Sequence, residues 1–401
     1  MIKDRQYYKF CSYGFLKNLR FFDAFLLLFL LEKGVTYTQI GLLYGIREVI
    51  VNLLELPSGI VADTYGRKNA LAGSFLAYIF SFVLFYGFHH FWWFVLAFVL
   101  YGTGDAFRSG THKGMIMDYL RQNGWEDKKI WYYGHTRSWS QMGSAISSLV
   151  AGIIVFYSGQ YERIFLYSVF PYFINFVLIL SYPESINYAS KQKKRQSLQQ
   201  TFHAFFSTIR QKNVFNIAFS SAFFSAYLKS IKDYIQLIMA NVALLIPFLM
   251  GQAPEKKSGV IIGLLYFGLY LLTSRASKFA SVFEGLSKRN LPTLTLYAGL
   301  GMGALSGVFY IRGWWIPALL AFIGIYVLEN IRKPILTGYI SDNVPNEVLT
   351  SVISAQSLLR TIITAVIALA VGVIADYQGM GMGLLSVSLL LIVVVLFFNT
   401  K

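Results

Sequence analysis

The chain has one cysteine, Cys11, in 401 residues, which excludes an internal disulfide and any metal site built from thiolates. Five histidines are scattered without ligand spacing, so no metal and no cofactor is expected. Acidic residues are scarce: 19 Asp and Glu stand against 35 Lys and Arg, and charges of both signs make up only 13% of the chain. No nucleotide-binding loop is present. Gly299-Leu-Gly301-Met-Gly303 lies inside an apolar run, where it reads as a surface for close helix packing. No nucleophile and base occur at a shared depth, so no catalytic residues are expected and an enzyme is disfavoured. Alternating segments of about ten residues, the mark of a membrane barrel, are absent. No cleavable leader is evident, because Met1 to Lys9 is polar and runs straight into a charged apolar stretch.

What fills the sequence is hydrophobic: 56% of residues, with a mean hydropathy of +0.53. That is too apolar for a soluble globule. The apolar runs are about 20 residues or longer, the length that crosses a bilayer core as helix. The expected class is therefore an all-α membrane protein. Twelve runs begin near Phe10, Thr38, Asn69, Phe91, Trp131, Arg163, Val214, Gly259, Pro292, Trp314, Val348 and Gly379. A net charge of +16 would suggest nucleic acid in a soluble protein. Here it points to anionic membrane lipids and loop orientation, with no nucleic acid as partner. Seventeen Lys and Arg, including Lys3, Arg67, Lys68, Arg121 and Lys191, fall on one side of the twelve runs. Only Lys33, Arg163, Lys256, Lys257 and Arg312 fall on the other. That bias places both termini in the cytoplasm, and the expected location is the inner (plasma) membrane.

The longest polar segment, 183–212, separates residues 1–182 from 213–401, giving six runs to each side. Within it, 201–209 has the pattern of a short amphipathic helix suited to a lipid surface. Internal repetition supports the division. Gly59-Ile-Val-Ala-Asp63-Thr-Tyr-Gly66, Gly152-Ile-Ile-Val-Phe-Tyr-Ser-Gly159 and Gly372-Val-Ile-Ala-Asp376-Tyr-Gln-Gly379 close the second, fifth and eleventh runs. Each keeps glycines seven residues apart, and a degraded fourth copy spans Ala280 to Arg289.

Ionisable residues inside the runs would each cost about 2.5–3.5 kcal/mol at a helix centre facing lipid. They must pair with one another or line a wet cavity. In the fourth run Asp105, Arg108, Ser109, His112 and Lys113 follow helical spacing and form one polar stripe. The seventh carries Lys229, Lys232, Asp233 and Gln236, and the tenth carries Glu329, Arg332 and Lys333 before Pro334, where a kink is expected. Arg20 and Asp23 lie in the first run, Arg47, Glu48 and Glu55 in the second, and Arg137, Arg275 and Arg360 in later ones. Cations exceed carboxylates most in the second half. The expected ligand is thus a small organic anion, carrying carboxylate or phosphate, held by Arg and Lys. The residues expected to bind it are Arg47, Arg108, His112, Lys229, Lys232, Asp233, Arg275, Arg332 and Arg360. A proton is the default coupling ion, and Asp23, Asp105 and Glu329 are the carboxylates expected to carry it. The alternative for each is a permanent pair with the Arg three residues away.

The segment Gly59-Ile-Val-Ala-Asp63-Thr-Tyr-Gly66-Arg67-Lys68 sits in the bend between the second and third runs. Its pattern Gly-x-x-x-Asp-x-x-Gly-Arg-Lys resembles the signature loop of major facilitator superfamily transporters. Nested three-helix repeats within six-helix halves fit the same family. The resemblance implies twelve transmembrane helices in two pseudo-symmetric six-helix bundles, with helices one, four, seven and ten lining a central cavity. It implies movement of solute by rocking one bundle against the other, and a monomer is expected. Gly59, Asp63, Gly66, Arg67, Lys68 and Asp118 would then form a conformational latch. Asp63 would meet the start of the run at Val348, and Arg67 would pair with Asp118, or with Glu126 or Asp127. The fifth run lacks the Gly-Pro motif that marks many drug antiporters of the family. Two alternatives remain open at this point: efflux of drugs or lipid-like amphiphiles, and a receptor or scaffold that keeps the fold without transport.

Overall fold

The computed structural model of the chain describes residues 3–187, 212–247, 251–276, 291–343 and 346–399. The amphipathic stretch expected at 201–209 and the degraded repeat at 280–289 lie outside them. All regular structure among the described residues is helical. The helices are α1 (Arg5–Lys17), α2 (Leu26–Glu32), α3 (Tyr37–Tyr65), α4 (Arg67–Gly87), α5 (Phe91–Arg108), α6 (Thr111–Gln122), α7 (Lys129–Ser158) and α8 (Arg163–Leu180). They continue with α9 (Lys212–Ile231), α10 (Ile235–Leu244), α11 (Pro254–Ala276), α12 (Leu291–Ile311), α13 (Trp315–Asn343), α14 (Asn346–Gln378) and α15 (Met380–Asn399). Seven of the described helices are long and apolar enough to cross a membrane: α4, α7, α8, α11, α12, α13 and α14.

The repeated glycines have two separate jobs. The second glycine of each copy ends a helix with a positive φ: 98° at Gly66, 66° at Gly159 and 87° at Gly379. A side chain there would clash with its own backbone, so glycine fits where the chain must reverse within a residue or two. The first glycine lets helices touch in two of the copies. A Cβ on Gly152 would lie 2.6 Å from the Gly259 carbonyl oxygen, and one on Gly372 would collide with the Tyr37 carbonyl. Among the described residues, nothing lies within 4 Å of such an atom at Gly59.

Packing divides the chain into two compact units. One comprises residues 1–29, 46–195 and 251–270, and the other 30–45, 196–250 and 271–401. In the first, α1 lies on α7 and α8, and α4 on α5 and α8. Its core is aromatic: Phe22, Phe29, Phe82, Phe85 and Phe165 interleave at ring-centroid distances of 4.7–6.2 Å. In the second, α9 lies on α14, and α12 lies between α13 and α15. The sequence halves, 1–182 and 213–401, exchange two pieces in this division. Small residues explain each piece. Gly41 and Gly45 of α3 meet Ala368 and Ala365 of α14, and Gly259 and Gly263 of α11 meet Gly152 of α7.

Candidate functional site

Three of the runs expected to line a cavity are not continuous helices. The first breaks after Lys17, passes through a 3-10 turn at Phe21–Ala24 and resumes at Leu26. The fourth stops at Arg108 and restarts at Thr111, with Gly110 between them at φ 76°. The seventh passes through a 3-10 turn at Lys232–Tyr234. The tenth stays helical through Pro334 to Asn343. Broken backbone at membrane depth is tolerated where it is buried in protein or borders water. Each break falls at charged residues, and side chains recover some of the freed carbonyls. The Thr111 hydroxyl donates to the Phe107 carbonyl at 2.7 Å, and the Asn18 amide to the Gly14 carbonyl at 2.7 Å.

The first two breaks border one cavity of about 360 Å³ within the first unit. Phe10, Tyr13, Gly14, Lys17 and Asn18 form one wall, Arg108 to Gly110 with His112, Lys113 and Ile116 another, and Tyr133, Thr136, Arg137, Ser140 and Gln141 of α7 a third. α1 and α7 approach closely here: a Cβ on Gly14 would lie 2.5 Å from Ser140 Oγ. Four cations line the cavity, Lys17, Arg108, Lys113 and Arg137, and no carboxylate does. Lys113 Nζ lies 5.4 Å from the centre of the Tyr133 ring. Among the described residues, neither Lys17 nor Arg137 has an ion-pair partner. His112 stacks on Tyr13 with ring centres 3.6 Å apart, and its Nε2 is 3.3 Å from the Tyr182 hydroxyl.

Asp105 stands just behind that wall and is fully engaged. Arg47 donates to Oδ2 at 2.6 Å, while Arg108 and the Tyr78 hydroxyl donate to Oδ1 at 3.0 and 2.6 Å. Tyr78 in turn accepts from Arg108 Nε at 2.9 Å. The carboxylate therefore divides its charge between two guanidinium groups. Only one of them, Arg108, reaches the cavity; Arg47 turns away over the Tyr101 ring, 4.5 Å from its centre. Sequence spacing put Asp105, Arg108 and His112 on one stripe. The structure brings Arg108 and His112 to the cavity and holds Asp105 behind it.

The other expected site residues are placed as follows. Arg20 and Asp23 pair at 3.0 Å, and Arg20 also donates to the Tyr101 hydroxyl at 3.1 Å. In the second unit Lys232 lies 3.7 Å from Asp233 in the break after α9, and Lys229 is half-buried one turn earlier. Glu329 accepts from Ser225 Oγ at 2.6 Å and lies 3.7 Å from Lys333. Arg332 has no exposed surface, donates to Thr295 Oγ1 at 2.9 Å and lies over the Phe224 ring. Arg275 is exposed near the end of α11, and Arg360 is half-buried with its Nη2 3.5 Å from Ser357 Oγ. Among the described residues, no group of three or more His, Cys, Asp or Glu could hold a metal.

The latch residues meet in the first unit. Arg67 pairs with Asp118 and lies 3.7 Å from Asp63. The start of α14, where Asp63 was expected, has side chains outside the described residues. No local pattern around Gly66 indicates what caps α4. Gly66 has no side chain to do it, and Asn187 takes over. The Asn187 carbonyl accepts from Arg67 N–H at 2.7 Å and its Oδ1 from Lys68 N–H at 2.9 Å. Glu184 holds this arrangement by accepting from Lys68 Nζ at 2.6 Å and from Asn187 Nδ2 at 2.9 Å. Those two hydrogen bonds, Lys68's first, keep the Glu184 carboxyl below its usual pKa. A Cβ on Gly66 would collide with Asn187 Oδ1.

A family model described as Major Facilitator Superfamily matches residues 15–368. An uncharacterized MFS-type transporter of Bacillus subtilis (strain 168), YxaM, is 22% identical over 395 residues, covering 97% of this chain and 94% of the relative. Among solved structures, the nucleoside transporter NupG superposes with a TM-score of 0.78 at 12% identity, covering 99% of both chains. A POT family transporter in complex with 5-aminolevulinic acid gives 0.71 at 12% identity, covering 99% of this chain and 96% of its own. A bacterial homolog of the human lysosomal transporter Spinster gives 0.68 at 13%, covering 100% and 97%.

Proposed function

The chain belongs to the Major Facilitator Superfamily, a family of membrane transporters rather than enzymes, and from that premise we propose that it carries a small organic anion, coupled to protons, by alternating access. The protein has twelve spans and both termini in the cytoplasm, sits in the inner (plasma) membrane and works as a monomer. Support for twelve comes from pairing the interrupted helices. α1 with α2, α5 with α6, and α9 with α10 each complete a span that no single helix provides, and α3 and α15 join the seven long helices.

The observation that carries the anion is the cavity itself, with four cations on its walls and no carboxylate. Two like charges about 7 Å apart at an effective dielectric near 20 repel by about 2 kcal/mol. An anion entering the cavity relieves several such repulsions at once and gains charge-assisted hydrogen bonds from Arg108, Arg137 and the lysines. Coupling follows from the shared guanidinium. An anion that engages Arg108 competes with Asp105 for it, and a carboxylate displaced from Arg108 can take up a proton. Anion and proton then load together. Asp105 is the best placed of the three expected carriers, because Asp23 pairs with Arg20 and Glu329 binds Ser225, both away from this cavity.

Reconstituted protein tests the proposal. Carboxylates and inorganic phosphate should enter proteoliposomes when a pH jump is imposed, and a lipophilic cation should not. Asp105→Asn should uncouple the residual flux from the pH gradient. Flux of lipophilic cations alone would favour amphiphile efflux, and no flux of any solute by a well-folded protein would favour a receptor.

A further inference from the structure

The four cations of the cavity do not stand together, and the pairing of α1 with α7 gives their spacing. The two helices run parallel. Tyr7 stacks on Trp131, Gly14 lies against Ser140, and a Cβ on Gly143 would lie 2.5 Å from the Phe15 carbonyl oxygen. Phe15 is thus level with Gly143, and Lys17 lies two residues beyond it. Arg137 lies six residues before Gly143. At 1.5 Å per residue the two positions are at least about 9 Å apart along the helix pair.

Each end has a second cation. Arg108 lies beside Lys17, close enough for the two charges to act on one another, and both act on His112. Lys113 serves the other end, with its Nζ over the Tyr133 ring one turn before Arg137. The ends also differ in exposure. Lys17 and Arg108 are half-buried, whereas Lys113 and Arg137 are exposed. Tyr13, one turn before Lys17, and Ser140 and Gln141, between Arg137 and Gly143, line the stretch that separates them. The inner end has one guanidinium that Asp105 already shares and, in Lys17, one ammonium with no ion-pair partner among the described residues.

One compact anion engages one end only. A charge-assisted hydrogen bond forms within about 3 Å of its donor, so a single carboxylate or phosphate reaches one pair of cations. Bending all four side chains onto one group would concentrate their mutual repulsion, and a second anionic group relieves it where they stand. We propose that the solute is an elongated dianion, with one anionic group held by Lys17 and Arg108 and a second by Lys113 and Arg137. A short neutral body joins the two groups and lies along Tyr13 and Ser140. The inner seat takes a singly charged carboxylate, because Asp105 competes for Arg108 there. The outer seat has two cations and no carboxylate on its wall, and takes a carboxylate or a phosphate. The assignment rests on the anion reading of this cavity and narrows it to solutes with charge at both ends.

Isothermal titration calorimetry on the purified full chain, at constant ionic strength in a zwitterionic buffer, tests it with dicarboxylates and monocarboxylates matched in carbon number. Succinate is paired with butyrate, adipate with hexanoate, and suberate with octanoate. Adipate or suberate should bind roughly tenfold or more tighter than its monocarboxylate, the effect of one added hydrogen bond between charged groups. Succinate should show a smaller ratio, because it is too short to span the two seats. In the double variant Lys113→Gln, Arg137→Gln the ratio should fall to about one at every length, since the second seat is then uncharged. Both side chains are exposed, so the variant should fold, and the length series on the unaltered protein needs no variant at all. A ratio equal at every length reports total charge rather than spacing, and a ratio that survives the double variant puts the second charge elsewhere. Either result overturns the proposal while the anion reading stands. If neither kind of carboxylate nor inorganic phosphate binds, the anion reading fails and this proposal falls with it.

Discussion

Asp105 has two arginines and needs both. Arg47 and Arg108 reach it from different helices, and side-chain exposure is 11% for the carboxylate and 19% for Arg47. Removing one member of a buried ion pair costs roughly 3–5 kcal/mol, because the partner's charge remains without compensation. Asp105→Asn and Arg47→Gln should therefore each lower the unfolding temperature of the purified protein markedly, and the double variant should lose less than their sum. Lys17 and Arg137 should behave differently, since no carboxylate among the described residues holds them. Lys17→Gln or Arg137→Gln should leave the melting temperature near the parent's. Anion flux should fall roughly ten- to hundredfold, the range of a lost hydrogen bond between charged groups. This contrast was partly legible in the sequence. Arg20, Arg67, Arg108 and Arg332 each have an acidic residue three or four positions away, and Lys17, Lys113 and Arg137 have none. Helical spacing thus separates internally paired cations from the rest. Arg47 escapes the rule, because its partner comes from another helix and no local pattern records that.

At the scale of the helix, the sequence reported the apolar runs and missed their interruptions. Hydropathy averages over a window, and the breaks at Asn18–Phe25, Ser109–Gly110 and Lys232–Tyr234 are only two to eight residues wide. A positive φ at Gly110 is invisible until the backbone is traced. The cap on α4 was hidden for another reason: Asn187 lies 119 residues from Lys68, beyond any local motif. Asn187→Ala should cost about 1 kcal/mol, the usual value of a lost helix cap, measured as a shift in thermal or denaturant unfolding. Glu184 adds a pH dependence. Its carboxyl titrates lower in the folded chain than its ordinary value of 4.5. The stabilisation it brings is thus complete above that value and fades as pH falls below it. Acid unfolding of Glu184→Gln should be less steep than the parent's on that limb, while the two coincide in pH dependence near neutrality.

For the molecule as a whole, the family and the all-helical class were the most legible features. The loop from Gly59 to Lys68, the repeated glycines and the run lengths all point one way, and the helical structure agrees with them. The location of the binding residues was harder to read. The second half has the larger excess of cations in sequence, but two of them are packed rather than open: Arg332 is fully buried against Phe224 and Lys232 lies beside Asp233. Charge counts cannot tell a packed guanidinium from an accessible one. The proposed topology is open to a direct check: a fluorescent protein fused after Lys401 should mature and fluoresce, and a periplasmic reporter fused at the same place should stay inactive.

A chamber walled by Lys17, Arg108, Lys113 and Arg137 will not stay vacant in a salt solution. With the proposed anionic solute, chloride, sulfate, phosphate or citrate from the buffer should compete for it, and added salt should also screen the charges that attract that solute. Apparent affinity should therefore be weaker in phosphate than in a large zwitterionic buffer of equal ionic strength. The choice of counter-ion during purification then becomes part of any measurement of what this carrier holds.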